Sequence, residues 1–107
     1  MSLKHKNLKV TEVNGVTIIE YYTTNIVAFD SNNLIFSRGN YKTTSTKKMI
    51  NKISDYYSLG WQVSSNRGIW WVDYQLENGE YIKPRPWENM EISLLRNPEL
   101  MKDYVLP

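Results

Sequence analysis

Thr43-Thr44-Ser45-Thr46-Lys47-Lys48-Met49-Ile50 marks the point where an extended chain stops and the main helix begins. Four successive hydroxyl residues supply N-cap candidates, because a Ser or Thr oxygen accepts a hydrogen bond from a first-turn N–H that the helix leaves unpaired. Apolar Met49, Ile50, Ile53, Tyr56 and Tyr57 recur at helical spacing, while Lys48, Asn51, Lys52 and Asp55 line the other side. The spacing predicts an amphipathic helix over about 45–59 with Ile50, Ile53 and Tyr57 in the core. Gly60 is placed to end it in a left-handed cap, and Trp61 restarts a strand. The first turn carries Lys47 and Lys48 and no acid, against the positive end of the helix dipole, where each cation is disfavoured by roughly 0.3–1 kcal/mol. A bound anion would relieve that conflict.

Upstream, Leu8 to Val13 alternates as a half-buried strand, and Asn14-Gly15 reads as a two-residue hairpin turn because both positions tolerate positive φ. Strand two then runs from Val16 to Tyr22. Ile26 to Phe29 and Leu34 to Phe36, separated by Asp30-Ser31-Asn32-Asn33, read as a second hairpin. Downstream, Trp61 to Ser65 and Ile69 to Gln75 flank a turn at Asn66-Arg67-Gly68, and Asn78-Gly79 turns toward a short Tyr81-Ile82 segment. Pro84 and Pro86 force an extended crossing, Glu88 to Leu95 reads as a short helix, and Asn97-Pro98-Glu99 opens a terminal helical piece reaching about Tyr104. The expected fold is α+β: an antiparallel sheet of five to six strands in hairpin order, packed on one main helix, with short C-terminal helical segments. Residues 1–7 read as a disordered basic tail and 8–107 as a single domain.

With 41% hydrophobic residues and a formal net charge of +2, the chain falls in the globular range, neither disordered nor strongly basic. Charge position says more than charge total. Arg38 to Lys52 holds five cations and no acid, whereas Asp73 to Asp103 holds seven acids against four bases. Cysteine is absent, which excludes disulfides and thiolate metal sites and fits a reducing compartment, so cytoplasmic placement is expected. No run approaches a membrane span and no export signal is legible.

Val27-Ala28-Phe29-Asp30, Gly39 to Asn51, Leu59-Gly60-Trp61-Gln62-Val63 and Ile69-Trp70-Trp71-Val72 together resemble a group of small phage-encoded proteins with no assigned role. That group shows a strand ending in AFD, a second strand, an aromatic, TTxKxxxN opening a helix, a GLG-like turn and an aromatic strand pair. The resemblance spans about residues 26–72, and the extra serine in Thr44-Ser45-Thr46-Lys47 departs from the group's spacing. It implies a phage or prophage origin, with the cytoplasm of the host cell as the location, and carries over no catalytic residue.

Ser45-Thr46-Lys47-Lys48 satisfies S-x-x-K, the nucleophile and base spacing of some acyl-transfer enzymes, but the companion S-D-N and K-T-G elements are missing, so the helix-cap reading prevails. His5 is the single histidine, with no imidazole partner for a triad or metal site; acid pairs such as Glu88 and Glu91 read as a solvated face. No enzyme activity, cofactor or metal is expected.

Four Trp, eight Tyr and two Phe are many for this length. One helix cannot cover both faces of a six-stranded sheet. Ile69, Trp71 and Asp73 are expected to face away from it, under the segment from Pro86 to Val105 or a second subunit in a homodimer. Two functions fit. The first is nucleic-acid or anion binding at the helix start by Arg38, Lys42, Thr44, Ser45, Thr46, Lys47, Lys48, Lys52 and Arg67, with Trp71 as the aromatic face. The second is a protein-interaction factor that binds and modulates or inhibits a host protein. Neither involves a membrane.

Overall fold

A computed structural model of the chain describes residues 5–39, 43–76, 78–87 and 91–96. The fold is α+β and its sheets are antiparallel throughout: β1 (Leu8–Val13), β2 (Val16–Tyr21), β3 (Thr24–Phe29), β4 (Asn33–Ser37), α1 (Thr44–Tyr57), β5 (Trp61–Asn66), β6 (Ile69–Gln75), β7 (Tyr81–Pro86) and β8 (Glu91–Leu95). The strands divide into two sheets, β1-β2-β3-β4-β8 and β5-β6-β7, where one sheet of five to six was expected.

The division covers one face of each sheet. Trp61, Val63, Trp70, Val72 and Tyr74 of the smaller sheet share one buried cluster with Ile19, Val27, Leu34 and Phe36 of the larger sheet and with Met49, Ile50 and Ile53 of α1. The Phe36 and Trp61 rings stack at 4.5 Å, and Trp87 meets Phe36 edge-on at 5.1 Å and Trp70 at 5.5 Å. Each sheet therefore covers the other, and helix and sheets enclose a single core. Tyr57, expected inside, is half-buried against Phe29.

The hairpins follow their turn residues. Asn14 and Gly15 take φ of 51° and 82°, and Arg67 and Gly68 take 53° and 78°, the double positive φ of two-residue hairpin turns. In β3 a bulge opposite Ile19 and Glu20 lets adjacent Ile26 and Val27 both face the core.

Three expectations are corrected. Glu91–Leu95, expected as part of a helix, is a strand on the edge of β4, with Phe36 opposite Ile92 and Leu34 opposite Leu94. Five residues with polar Glu91 and Ser93 between apolar neighbours fit a period of two, and the open edge of β4 supplies ladder bonds that so short a helix lacks. The crossing expected at Pro84 and Pro86 is strand β7, an edge position where a missing N–H is tolerated. The left-handed C-cap is Ser58, at φ 54°, and not Gly60. Gly60, at φ 94°, is required instead by the approach of β6: a Cβ there would strike the Gln75 carbonyl oxygen, and the Gln75 N–H donates to the Gly60 carbonyl at 2.8 Å.

Ile69, Trp71 and Asp73 lie on the face of β6 opposite the buried Trp70, Val72 and Tyr74, as expected, and most of the segment expected to cover them lies outside the described residues. Of its described residues, Pro86 pairs with Trp71, Trp87 is buried in the core and β8 joins the larger sheet; Ile69 is exposed and Trp71 and Asp73 are half-buried. The helix expected from Asn97 to Tyr104 lies outside the described residues. So do residues 1–4 of the expected tail; of its remainder, His5 packs edge-on against Tyr21 at 5.6 Å, and the Asn7 carbonyl accepts from the Tyr22 N–H at 2.7 Å.

α1 is fastened to the edge of β5 by its own side chains. Asn51 donates to the Val63 carbonyl at 2.8 Å and accepts from the Val63 N–H at 2.7 Å. Ser54 does the same for Trp61, at 2.8 and 3.0 Å, and the Trp61 indole N–H donates to the Ile50 carbonyl at 3.1 Å. These bonds supply what a further strand would have given β5, so the helix closes that edge.

Candidate functional site

The helix start is capped by Thr43, at φ −110° and ψ 155°, whose Oγ1 accepts from the Thr46 N–H at 3.2 Å. The two hydroxyls lie 2.9 Å apart. The helix thus opens at Thr44, and Lys47 and Lys48 become its fourth and fifth residues. Their conflict with the dipole is weaker than the sequence implied, because the effect fades beyond the first turn. Helix geometry leaves the Thr44 and Ser45 amides without intrahelical partners.

Two grooves meet at this corner. One, of about 450 Å³, is lined by Tyr21, Tyr22, Thr23, Thr24, Ile26, Arg38, Thr43, Ser45 and Thr46. The other, of about 510 Å³, is lined by Tyr21, Thr44, Ser45, Lys48, Met49 and Lys52. Tyr21 and Ser45 border both, and the hydrogen bond between their hydroxyls, 2.7 Å long, forms the wall between the grooves. The side chain beside Ser45 Oγ is therefore a tyrosine hydroxyl.

Tyr22 stands at the mouth. It is the first residue of a two-residue turn between β2 and β3, has φ 57°, and leaves 61% of its surface exposed. Left-handed backbone at a non-glycine residue costs about 1–2 kcal/mol, and for a bulky aromatic it is rare. The ring packs edge-on against Tyr21 at 4.7 Å, and the Tyr22 N–H is held by Asn7.

The structure gathers Arg38, Thr44, Ser45, Thr46, Lys48 and Lys52 around these grooves and separates the other expected residues from them. Lys47 turns to the smaller sheet, where its Nζ donates to Ser65 Oγ at 3.0 Å. Arg67 occupies the β5–β6 turn and lines neither groove. Trp71 sits on the outer face of the smaller sheet, opposite Ser64 and Pro86. Lys42 lies outside the described residues. Sequence reasoning missed Tyr21 and Tyr22 as site residues. The one available signal was the polar break Thr23-Thr24-Asn25 after two apolar strands' worth of chain, which contains neither Gly nor Pro.

The opposite end of α1 has other chemistry. A recess of about 670 Å³ there includes Asp55, Asp73, Gln62, Tyr81 and Arg96 in its walls. Its acids and the negative end of the helix dipole make it the poorer place for an anion despite its larger volume. Among the described residues no group of three or more acids or histidines could hold a metal, and no helix is long and apolar enough to cross a membrane. Compared with protein-family models, curated proteins and solved structures, the chain gave no match.

Proposed function

We propose that the corner between the β2–β3 turn and the start of α1 binds single-stranded nucleic acid. The observation that carries this reading is Tyr22, an exposed ring held in a strained backbone at the mouth of a groove lined by hydroxyls and a cation. Backbone strain kept at a residue that leaves most of its surface in solvent is characteristic of functional positions. Tyr22 offers a stacking face for a base. Lys48 and Lys52 in one groove and Arg38 in the other, with the Thr44 and Ser45 amides between, suit phosphates on either side of that base. Each groove lies within the roughly 300–1,000 Å³ typical of small-ligand sites, large enough for one nucleotide and too small for a duplex.

Fluorescence anisotropy with a labelled single-stranded oligonucleotide and its duplex tests this. Binding should favour the single strand and weaken with salt, and Lys48→Glu with Lys52→Glu should abolish most of it. No binding at low salt, or equal binding by the double variant, overturns the reading.

The alternative, a factor that binds and modulates a host protein, is supported by the outer face of the smaller sheet, where Ile69 and Trp71 lie side by side without a cover among the described residues. Trp71→Glu separates the two: it leaves oligonucleotide binding unchanged under the first reading and disrupts a protein contact under the second.

A further inference from the structure

Sheet edges expose main-chain donors and acceptors to any other strand, and folded proteins block them. Here the β5 edge is closed by Asn51 and Ser54, and β7 carries Pro84 and Pro86. β1 has neither device: it contains no proline, pairs with β2 without a bulge, and five of its six residues are exposed.

Hairpin geometry fixes which of its groups are free. Asn14 and Gly15 form a two-residue turn, so Val13 and Val16 are a hydrogen-bonded pair, and by alternation so are Thr11 with Ile18 and Lys9 with Glu20. The bond from the Tyr22 N–H to the Asn7 carbonyl continues the same phase. Both main-chain groups of Val10 and Glu12, and the Leu8 carbonyl, therefore point away from β2. The Leu8 N–H also points outward but is taken by the His5 carbonyl at 3.0 Å.

The geometry points to a second copy of this chain as the occupant, its β1 pairing antiparallel with this β1 about a two-fold axis through Val10. Such an axis runs perpendicular to the sheet, keeps both helices on one side, and allows pairing only between residues of the same face. With Val10 on the axis, the two Val10 residues exchange both hydrogen bonds, and each Leu8 carbonyl accepts from a Glu12 N–H of the other copy. The Leu8 N–H is already bonded to His5, and the Glu12 carbonyl opposite it is left to solvent. A two-residue slip in one direction sets Lys9 against Lys9 across the axis; the opposite slip moves Glu12 from Leu8 to Val10 in each half and gives up the contact between the two valines. The Val10 register opposes Lys9 with Thr11 and buries a valine that is 48% exposed against its own copy. The product is a continuous sheet with five strands from each chain.

Sedimentation of the full chain from ~1 to ~100 μM should show a concentration-dependent dimer. Val10→Pro removes an outward N–H and no bond to β2, so it should weaken the dimer at least tenfold while the circular dichroism spectrum stays unchanged. The chain has no cysteine, and directly opposed residues of a hydrogen-bonded antiparallel pair have Cα atoms about 5.5 Å apart, within disulfide reach. Mild oxidation should thus crosslink Val10→Cys at concentrations where Ile69→Cys, comparably exposed on the other sheet, remains monomeric. A wild type that sediments as a monomer throughout, a Val10→Pro variant that associates like wild type, or equal crosslinking of the two cysteine variants overturns the inference.

Discussion

Two groups of aromatic residues in the molecule receive opposite treatment. Phe36, Trp61, Trp70 and Trp87 lie under the sheets, each at most 5% exposed, with rings in mutual contact. Tyr21 and Tyr22 lie at the start of α1, one ring buried to its hydroxyl and the other mostly in solvent, beside hydroxyls and cations. The first region yields stability through burial; the second holds a strained residue and, on the reading proposed above, yields binding. The sequence presents all these rings as one excess of aromatics, and only their placement separates packing from display. Substitutions that alter one region and spare the other test whether that separation is real.

The largest effects belong to the closed region. Trp61→Ala should cost about 3–5 kcal/mol and Ile53→Ala about 2–5 kcal/mol in denaturant unfolding, since both side chains are wholly buried. The protein that remains folded should keep the oligonucleotide affinity of wild type. A loss of affinity at Trp61 in folded protein would join the two regions and break the comparison.

Next come the bonds that close the β5 edge. Ser54→Ala removes both partners of the buried Trp61 main chain at once, and Asn51→Ala does so for Val63. Each should cost about 1–3 kcal/mol, the range for a buried polar group left unpaired. The Asn51 bonds are partly buried and the Ser54 bonds fully so, and Ser54→Ala should therefore cost more. Equal and negligible losses would mean that water replaces both side chains and that the helix does not close the edge.

The smallest effect lies at the β3–β4 turn. Asp30 Oδ1 accepts from the N–H groups of Asn32 and Asn33, at 2.8 and 2.7 Å, and these bonds hold its carboxyl below the usual carboxylate range. A depressed folded-state pKa contributes stability above the unfolded value and loses it as pH falls through the folded one. Acid unfolding of Asp30→Asn should accordingly begin from a lower stability at neutral pH and follow a shallower acid limb. An acid limb as steep as that of wild type would show that Asp30 does not contribute to it.

Much of the fold was legible because local chemistry and tertiary structure agree. Asn14-Gly15 turns where its φ preferences allow, Gly68 completes the β5–β6 turn, and the hydroxyl run caps the helix it precedes. The misread segments are those where tertiary structure decided between local options. Glu91–Leu95 suits a helix or a strand, and the edge of β4 made it a strand. Gly60 suits a helix cap, but contact with Gln75 explains it better, while Ser58 takes the left-handed position at a cost that its hydrogen bonds to the Asp55 and Ser54 carbonyls offset. The site was half legible: the hydroxyls, Lys48, Lys52 and Arg38 were expected together, whereas Lys47 and Arg67 point elsewhere because the smaller sheet draws them away. Tyr22 escaped notice because Tyr-Thr carries no turn signal; the Asn7 carbonyl and the Tyr21 ring, both distant in sequence or direction, hold it in place.

The central claim is that Tyr22 is strained for binding, and Tyr22→Gly tests it because glycine accepts φ 57° without a Cβ penalty. The measurement is a titration of one labelled single-stranded oligonucleotide against wild type, Tyr22→Phe and Tyr22→Gly, with a melting curve for each. Tyr22→Phe should bind as wild type does. Tyr22→Gly should melt at the same temperature or higher, by up to ~1 kcal/mol of added stability, yet bind about tenfold more weakly or worse, the loss expected when one base loses its stacking partner. A glycine variant that binds as tightly as wild type contradicts the claim.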